Sequence, residues 1–153
     1  MQTFLPYSNF TETAKCLDNK RLGKQRVEAY QIRRIISGER KNGGWLTHPA
    51  VLMWKGFPDA LAAYQNSMIL EWVDRGFNNT MELTEHSAIY KVPPFIGGEK
   101  FHESHRSNLL RKDFEFYSQY EWHVPDNLPY IWPCLLYTSD AADDTPCVDL
   151  GGR

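Results

Sequence analysis

The sequence predicts a compact, single-domain, all-α fold, and three observations support this prediction. Apolar residues recur at helical spacing in two long segments, 22–36 and 61–73, whereas period-two alternation is almost absent. Glycine and proline residues separate these segments from the rest of the chain. The 153 residues suffice for one domain with a hydrophobic core and are too few for two ordinary ones.

The first two helices are placed by their capping signals. Asn9, three residues before a glutamate, predicts the start of a short helix. Asn19 predicts the start of a long basic helix that ends at Gly38. Gly23 lies inside this second helix, where glycine costs about 1 kcal/mol relative to alanine. We therefore expect another element to approach the backbone closely at Gly23.

The rest of the chain is predicted to alternate between loops and helices. Residues 41–47 form a glycine-containing loop, 48–54 a helical segment, 58–76 a long helix, and 98–120 the last helix. The predicted inner residues are Leu61, Tyr64, Met68, Ile69, Trp72 and Val73 in the long helix, and Phe101, Leu109, Leu110, Phe114 and Tyr117 in the last one.

A single carboxylate stands in the middle of the most basic part of the chain. Between Lys15 and Lys41 there are nine lysine or arginine residues and three acids. On a helical projection Gln25 and Glu28 share the apolar face with Ala29 and the isoleucines that follow. An acid in a cationic cleft suits proton transfer on a polyanion. A structural ion pair with Lys24 or Arg21 is the alternative.

Polar residues also cluster on the last predicted helix. His102 and His105 could share a helix face and bind a metal, but no HExxH motif, cysteine pair or third ligand at a suitable spacing accompanies them. A phosphate-binding face fits the cluster better, although an ordinary solvated face is an equal alternative. The residues of this cluster are His102, His105, Arg106, Ser107, Asn108, Arg111 and Lys112.

Composition restricts the class of protein. Five Trp, eight Tyr and eight Phe suit either a well-filled core or base stacking. No apolar run is long enough to span a bilayer, and no signal-peptide pattern occurs at the N-terminus, so we expect a cytoplasmic protein. GxSxG, Walker and GxGxxG motifs are absent, which removes the usual signs of serine-nucleophile and nucleotide chemistry.

Residues 134–153 differ from the rest of the sequence. They carry four Asp and one Arg, and without them the chain has 16 basic and 15 acidic residues. Two of the three cysteines also lie there, and Cys16 alone makes neither a disulfide framework nor a cysteine zinc site. The segment resembles translated sequencing-adapter read-through, so we expect a non-native or disordered tail. A natural acidic tail is the alternative.

Several segments of residues 1–133 resemble the pyrimidine-dimer DNA glycosylase family of the T4 endonuclease V type, in consistent order and spacing. The resemblance is closest to a bacterial subgroup of short proteins that begin MQTFLPY. The segments are LDNKRLGKQRVEAYQI (17–32) for the first long helix, GGWLTHP (43–49), DRGFN (74–78), HESHRSNLLRKDFEFY (102–117) for the last helix, and Tyr130 with Trp132 for an aromatic C-terminal patch.

The resemblance implies a monomeric all-α protein that binds double-stranded DNA and moves a base out of the stack. In this family the α-amine of the chain terminus attacks the sugar C1′, and a glutamate, here Glu28, handles the protons. An α-amine suits this role because its ordinary pKa of about 7.7–8.0 leaves part of it neutral at physiological pH. The chemistry requires no metal or cofactor.

The start of the chain departs from the family pattern. The family has a small second residue, so its initiator methionine is removed, whereas Gln2 is too bulky for normal removal. We therefore expect the Met1 amine to be the nucleophile, because a processed Gln2 can cyclise and lose its amine. Lys20 or Lys24 could replace it if burial lowered the lysine pKa. Val27 stands where the family has arginine, so the sequence does not identify the damaged base that the protein would recognise.

These considerations define the candidate sites and the alternatives. A non-catalytic helical module that binds DNA, such as a helix-turn-helix protein, is the main alternative. A metal-dependent nuclease would have only His48, His86, His102 and His105 from which to build a site. The candidate catalytic residues are Met1, Gln2, Gln25, Glu28 and His48, and the candidate DNA-binding residues are Lys20, Arg21, Lys24, Arg26, Arg33, His102, His105, Arg106, Asn108, Arg111, Lys112, Tyr130 and Trp132.

Overall fold

The structure, a computed structural model, describes residues 1–133 and confirms the all-α fold class. Within this range there is no β-strand, and no helix is both long and apolar enough to cross a membrane. The helices are α1 (Phe10–Cys16), α2 (Asn19–Ile36), α3 (Pro49–Leu52), α4 (Pro58–Asp74), α5 (Glu99–Lys112) and α6 (Phe114–Tyr117), followed by a 3₁₀ turn at Ser118–Tyr120. The predicted nature of residues 134–153 lies outside the described range.

The chain divides into two compact units. Unit 1 comprises Met1–Phe4 and Asn9–Pro93, and unit 2 comprises Leu5–Ser8 and the described residues 94–133. The single domain expected over residues 1–133 stays a prediction.

In unit 1, helix α2 packs against α3 and α4, and α1 also packs against α4. The helical periodicity read from the sequence accounts for this packing, because the predicted inner faces of α2 and α4 are the ones that are buried. Val73 is an exception, since it lies in the last turn of α4 and is half exposed, and Ile35, Ile36 and Trp72 are only half-buried. The core of unit 1 includes Leu22, Ala29, Ile32, Trp54, Leu61, Tyr64 and Met68, all with at most 1% of their surface exposed.

Gly23 lies at a close contact between α2 and α4, as its position in the helix predicts. A Cβ at this residue would stand 2.8 Å from a ring carbon of Trp72. Trp72 stacks on Phe77 with ring centroids 4.4 Å apart and donates its indole N–H to the Asn78 carbonyl. Because this ring is fixed on both sides, a larger residue at Gly23 would separate the two helices.

The capping signals are mostly confirmed. Asn9 caps α1 by accepting the Glu12 N–H at 2.8 Å. The N-cap of α2 is Asp18 rather than Asn19, so that prediction is wrong by one residue. The carboxylate of Asp18 accepts the Arg21 N–H, and a carboxylate at this position also complements the helix dipole.

In unit 2, α5 packs against α6, and the predicted continuous helix over 98–120 is interrupted. Asp113 leaves the helical conformation, with φ −154° and ψ 76°, and its carboxylate caps α6 by accepting the Phe116 N–H. Phe114 is consequently 61% exposed instead of lying on the inner stripe, whereas Tyr117 is fully buried. Aspartate is a preferred N-cap residue, so Asp113 was itself a signal of this break that the sequence analysis missed.

Candidate active site

The first four residues of the chain lie along α2 in unit 1, where the side-chain amide of Gln25 holds them. Gln25 Oε1 accepts the Phe4 N–H at 2.8 Å, and its Nε2 donates to the Gln2 carbonyl at 2.9 Å. The side chain is 2% exposed, so water does not compete for these bonds. One turn further along α2, Glu28 Oε1 accepts the Gln2 N–H at 3.0 Å. The spacing of the two residues thus holds the start of the chain beside the acid.

Two buried aromatic side chains fix the same segment. The Tyr64 hydroxyl lies 2.7 Å from the Phe4 carbonyl and 2.6 Å from Gln25 Oε1, both of which are acceptors. Trp54 donates its indole N–H to Thr3 Oγ1 at 3.0 Å. Burial raises the pKa of Tyr64 well above its usual value, so the hydroxyl remains a donor.

Glu28 is half-buried, with 15% of its side chain exposed, as its place at the edge of the apolar face predicts. Its Oε2 lies 3.8 Å from Lys24 Nζ, but the Lys24 side chain is 68% exposed. Ion pairs with such exposed partners contribute about 0.2–1 kcal/mol. The other predicted partner, Arg21, pairs with Asp18 at 3.2 Å. The structural ion pair therefore exists but is weak, and a carboxylate with about four acceptor positions keeps capacity for a proton.

His48 belongs to the same neighbourhood. Burial lowers its pKa, the positive charge of the terminal amine at Met1 lowers it further, and Glu28 opposes both effects. The ring caps α3, because Nδ1 accepts the Ala50 N–H at 2.9 Å. The neutral imidazole consequently carries its proton on Nε2, where it can act as a donor. The terminal amine at Met1 and the Glu28 carboxylate thus lie within electrostatic range of His48, although the three residues are far apart in the sequence.

Gln2 contributes an unsatisfied donor to this region. The residue is 7% exposed, and its Oε1 accepts the Thr3 N–H at 2.8 Å. Its Nε2 is buried and makes no hydrogen bond within the described part of the chain. A buried donor without a partner costs about 1–3 kcal/mol. The start of the chain therefore contains a destabilising polar group next to the acid.

The predicted DNA-binding residues of α2 differ in how far they are exposed to solvent. Lys20 and Lys24 are exposed. Arg26 is held inside unit 1: its guanidinium lies 4.4 Å from the centre of the Trp72 ring, and it donates to Asn79 Oδ1 at 2.7 Å. Burial also lowers the pKa of Arg26. Arg33 is intermediate, since its Nε lies 3.4 Å from Gln65 Oε1.

Two of the predicted DNA-binding residues of α5 lie in the interior of unit 2. His102 and His105 are 3% and 1% exposed, and both contact the backbone of Leu5. His105 Nδ1 accepts the Leu5 N–H at 2.9 Å, while His102 Nδ1 donates to the Leu5 carbonyl at 2.8 Å and its Nε2 accepts the Gly97 N–H. Burial lowers the pKa of His102, and it lowers that of His105 to about 3. In this structure both are neutral and inaccessible to phosphate, so we do not retain them in the DNA-binding set.

The remaining polar residues of α5 also have partners in unit 2. Arg106 donates to the Pro6 carbonyl and to Glu99, each at 2.6 Å. Asn108 is buried, donates to the Leu128 carbonyl and accepts a hydrogen bond from Arg111. Arg111 and Lys112 are exposed in the last turn of the helix. Arg111 also donates to the Asp126 carbonyl at 2.9 Å.

The predicted aromatic patch near the end of the described chain packs within unit 2. The Tyr130 ring lies 5.5 Å from His105 and 5.7 Å from Trp132, measured between ring centroids. Trp132 is 8% exposed. Both rings therefore contribute to the packing of unit 2 in this structure.

Sequence reasoning missed Thr3, Trp54 and Tyr64 as residues that position the start of the chain. Their hydrogen bonds join residues 51 to 60 positions apart, and no local pattern encodes such pairings. It also missed Trp45, whose ring lies 5.2 Å from that of His48. The signal was present in the GGWLTHP segment, where a tryptophan follows two glycines in a loop.

The histidines of the described residues do not belong to a cluster of possible metal ligands. Within residues 1–133, no three His, Cys, Asp or Glu side chains come close enough together to hold a metal ion. His86 instead contacts the Ser87 carbonyl and the Tyr90 ring. His102 and His105 lie next to each other, but both bind the backbone of Leu5.

A comparison with known families identifies the class of protein that this fold and site define. The family model described as pyrimidine dimer DNA glycosylase matches residues 1–85, which include the anchored N-terminal segment, Glu28 and His48. This is more than half of the 153 residues, so the chain belongs to the pyrimidine dimer DNA glycosylase family. No curated protein and no solved structure matches the chain.

Proposed function

We propose that this protein removes a damaged base from duplex DNA and then cleaves the strand, through an imine formed by the α-amine of Met1. The observation that carries the proposal is the 3.0 Å hydrogen bond from the Gln2 N–H to Glu28 Oε1. It keeps the start of the chain against a half-buried acid. If Met1 were removed, the nitrogen at this distance from Glu28 would be the Gln2 amine itself.

The chemistry follows from these two groups. The neutral amine attacks C1′ of the damaged nucleotide, a new C–N bond forms, and the glycosidic bond breaks with its electron pair leaving on the base. Opening of the sugar ring gives the imine. Glu28 then takes a proton from C2′, the C3′–O bond breaks, and the 3′ phosphate leaves. Water finally hydrolyses the imine and restores the amine.

Gln25 and His48 have supporting roles in this proposal. Gln25 acts as a positioning residue, because its two hydrogen bonds to the backbone of residues 2 and 4 restrict where the amine can stand. The Nε2–H of His48 can donate to the departing base or to a sugar oxygen. The low pKa that burial gives His48 favours this neutral donor form near pH 7.

The family supports a pyrimidine dimer as the first substrate to test. Val27, at the position next to the acid, is 39% exposed and apolar, which differs from the arginine of the family pattern. Another damaged or modified base is therefore the second candidate substrate. The exposed cations Lys20 and Lys24 on α2, and Arg111 and Lys112 on α5, are proposed to contact phosphates.

Borohydride trapping tests this proposal. The protein is incubated with EDTA and a duplex that contains either one thymine dimer or one abasic site, and sodium borohydride is added during the reaction. We expect a covalent protein–DNA adduct and a strand break with both duplexes, since imine chemistry needs no metal. Binding without an adduct would favour the non-catalytic helical module, and cleavage that EDTA abolishes would favour a metal-dependent nuclease.

A further inference from the structure

We propose that Trp45 is a base-stacking residue that fills or borders the gap left in the duplex when the target nucleotide is moved out. This inference rests on the proposed function and adds a substrate-contacting side chain to it. The ligand class is an unpaired or unstacked nucleobase of double-stranded DNA.

The location of Trp45 supports this role. Its ring centroid lies 5.2 Å from that of His48. The pKa of His48 responds to the charges of both the terminal amine and Glu28, so both groups lie within electrostatic range of the imidazole. Trp45 therefore lies at the edge of the candidate active site, in unit 1.

The exposure of Trp45 sets it apart from the other tryptophans. All five lie within the described residues, and Trp54 and Trp132 are buried in the packing of their units. Trp72 packs against Gly23 and Phe77, and Trp122 donates to the Tyr7 hydroxyl. Trp45 is 41% exposed. An exposed indole offers a flat apolar ring, and every nucleobase offers a flat surface on which that ring can stack.

The loop that carries Trp45 is held at both ends. The Trp45 carbonyl accepts the His48 N–H at 3.1 Å, which closes a turn directly onto the N-terminus of α3. At the other end, Arg40 N–H donates to the Arg34 carbonyl, and Arg40 Nε donates to the Asn42 carbonyl. The indole is thus presented from a constrained turn, which lowers the entropy lost when it inserts.

The charge of the same loop suits a nucleic acid. Lys41 is exposed, and the Arg40 guanidinium covers Gly43, where a Cβ would collide with it. Gly43 also has a φ of 127°, which other residues rarely adopt. Two cations within five residues of an exposed indole can contact phosphates on either side of a stacked base.

The test uses Trp45→Ala, the conservative Trp45→Phe, and Phe114→Ala as a matched control that removes another exposed aromatic ring. Single-turnover rates are measured with saturating protein on the thymine-dimer duplex and on the abasic duplex. We expect Trp45→Ala to slow base release from the dimer about 5- to 150-fold, the range that loss of one stacked base implies. Trp45→Phe should recover most of the rate, and Phe114→Ala should match the wild type.

Trapping on the abasic duplex separates this inference from the proposed function. That duplex has no base to move, so Trp45→Ala should give an adduct at a rate within a few-fold of the wild type. A wild type that forms no adduct on either duplex would remove the proposed function. A wild type that forms adducts, together with an unchanged Trp45→Ala rate on the dimer, would overturn the role of Trp45.

Tryptophan fluorescence provides a measurement that does not depend on chemistry. Stacking on a base should quench Trp45, so the wild type should lose more emission than Trp45→Phe when either protein is saturated with the abasic duplex. Equal quenching in the two proteins would overturn the inference, even if the wild type were catalytically inactive.

Discussion

Helices α2 and α5 are both rich in polar residues, yet the structure uses them in opposite ways. On α2, Glu28 is half-buried next to the start of the chain, while Lys20 and Lys24 face solvent. On α5, His102 and His105 are buried and bind the backbone of Leu5. The polar residues of α5 support the interior, whereas the role proposed for Glu28 is chemical, and the two roles predict different effects of mutation.

The two helices also differ in what their polar residues recognise. Ser104, Ser107 and Asn108 on α5 bond to the backbone of the segment 128–131, and Arg106 bonds to the Pro6 carbonyl. These partners are fixed peptide groups, which a polar side chain satisfies in the folded state. On α2, Gln25 and Glu28 also bind backbone groups of the first four residues, but Glu28 keeps further acceptor positions.

The largest expected effect is that of Glu28→Gln on catalysis. The substitution keeps the size of the side chain and the acceptor for the Gln2 N–H but removes the proton acceptor. We expect strand cleavage to fall about 10²- to 10⁴-fold, while DNA affinity stays within a few-fold. Gel-based cleavage and binding titrations measure the two quantities. Full activity of the variant, or its failure to fold, would assign Glu28 to structure and make α2 resemble α5.

The second effect concerns the stability of unit 2. His105→Leu replaces the imidazole with an apolar side chain of similar size and leaves the buried Leu5 N–H without this acceptor, which should cost about 1–3 kcal/mol of unfolding free energy. Lys24→Ala is the matched change on α2, and it should stay within about 0.5 kcal/mol of the wild type. Urea unfolding at pH 7 measures both. Equal losses for the two variants would contradict the proposed difference between the helices.

The third effect is the pH dependence of that stability. The pKa of His105 is about 3 in the folded protein because of burial, against about 6.5 when unfolded. The unfolded state therefore binds the extra proton, and the stability that is fully present above pH 6.5 is lost progressively as the pH falls towards 3. The slope is at most about 1.4 kcal/mol per pH unit for this residue. Unfolding at pH 7, 6 and 5 should show a shallower dependence for His105→Leu than for the wild type.

The smallest effect concerns the salt dependence of DNA binding. Lys20→Ala and Lys112→Ala should each reduce the slope of log affinity against log salt by about 0.9, if each side chain contacts one phosphate. Arg106→Ala should leave the slope unchanged, because the Arg106 guanidinium is bound to the Pro6 carbonyl and Glu99. If Arg106→Ala reduced the slope and the two lysine variants left it unchanged, the assignment of exposed and structural cations would be reversed.

Local patterns in the sequence predicted a large part of this architecture. Helical periodicity identified α2 and α4, and Gly23 indicated the contact that Trp72 makes. Glu28 was recognisable because it is the one acid on the apolar side of a basic helix. These features depend on neighbours within a few turns of the chain, which the order of residues records directly.

The parts that sequence did not predict depend on distant pairings. In the sequence, His102 and His105 resemble part of a phosphate-binding face. In the fold, both side chains bind the backbone of Leu5, which is 97 and 100 residues away. In the sequence, Trp54 and Tyr64 resemble ordinary core residues. In the fold, their polar atoms form hydrogen bonds with Thr3 and Phe4. A single sequence does not encode which backbone group a buried polar side chain will meet, so roles of this kind require the fold.

The most direct test of the central claim, that the amine at the start of the chain and Glu28 act as a pair, is to map the borohydride adduct. The trapped protein is digested with trypsin, and the modified peptide is identified by mass spectrometry. We predict that the adduct lies on the α-amine of the peptide Met1–Lys15, and that acetylation of this amine abolishes trapping while DNA binding persists. An adduct on Lys20 or Lys24, or trapping that survives the blocked amine, would contradict the claim.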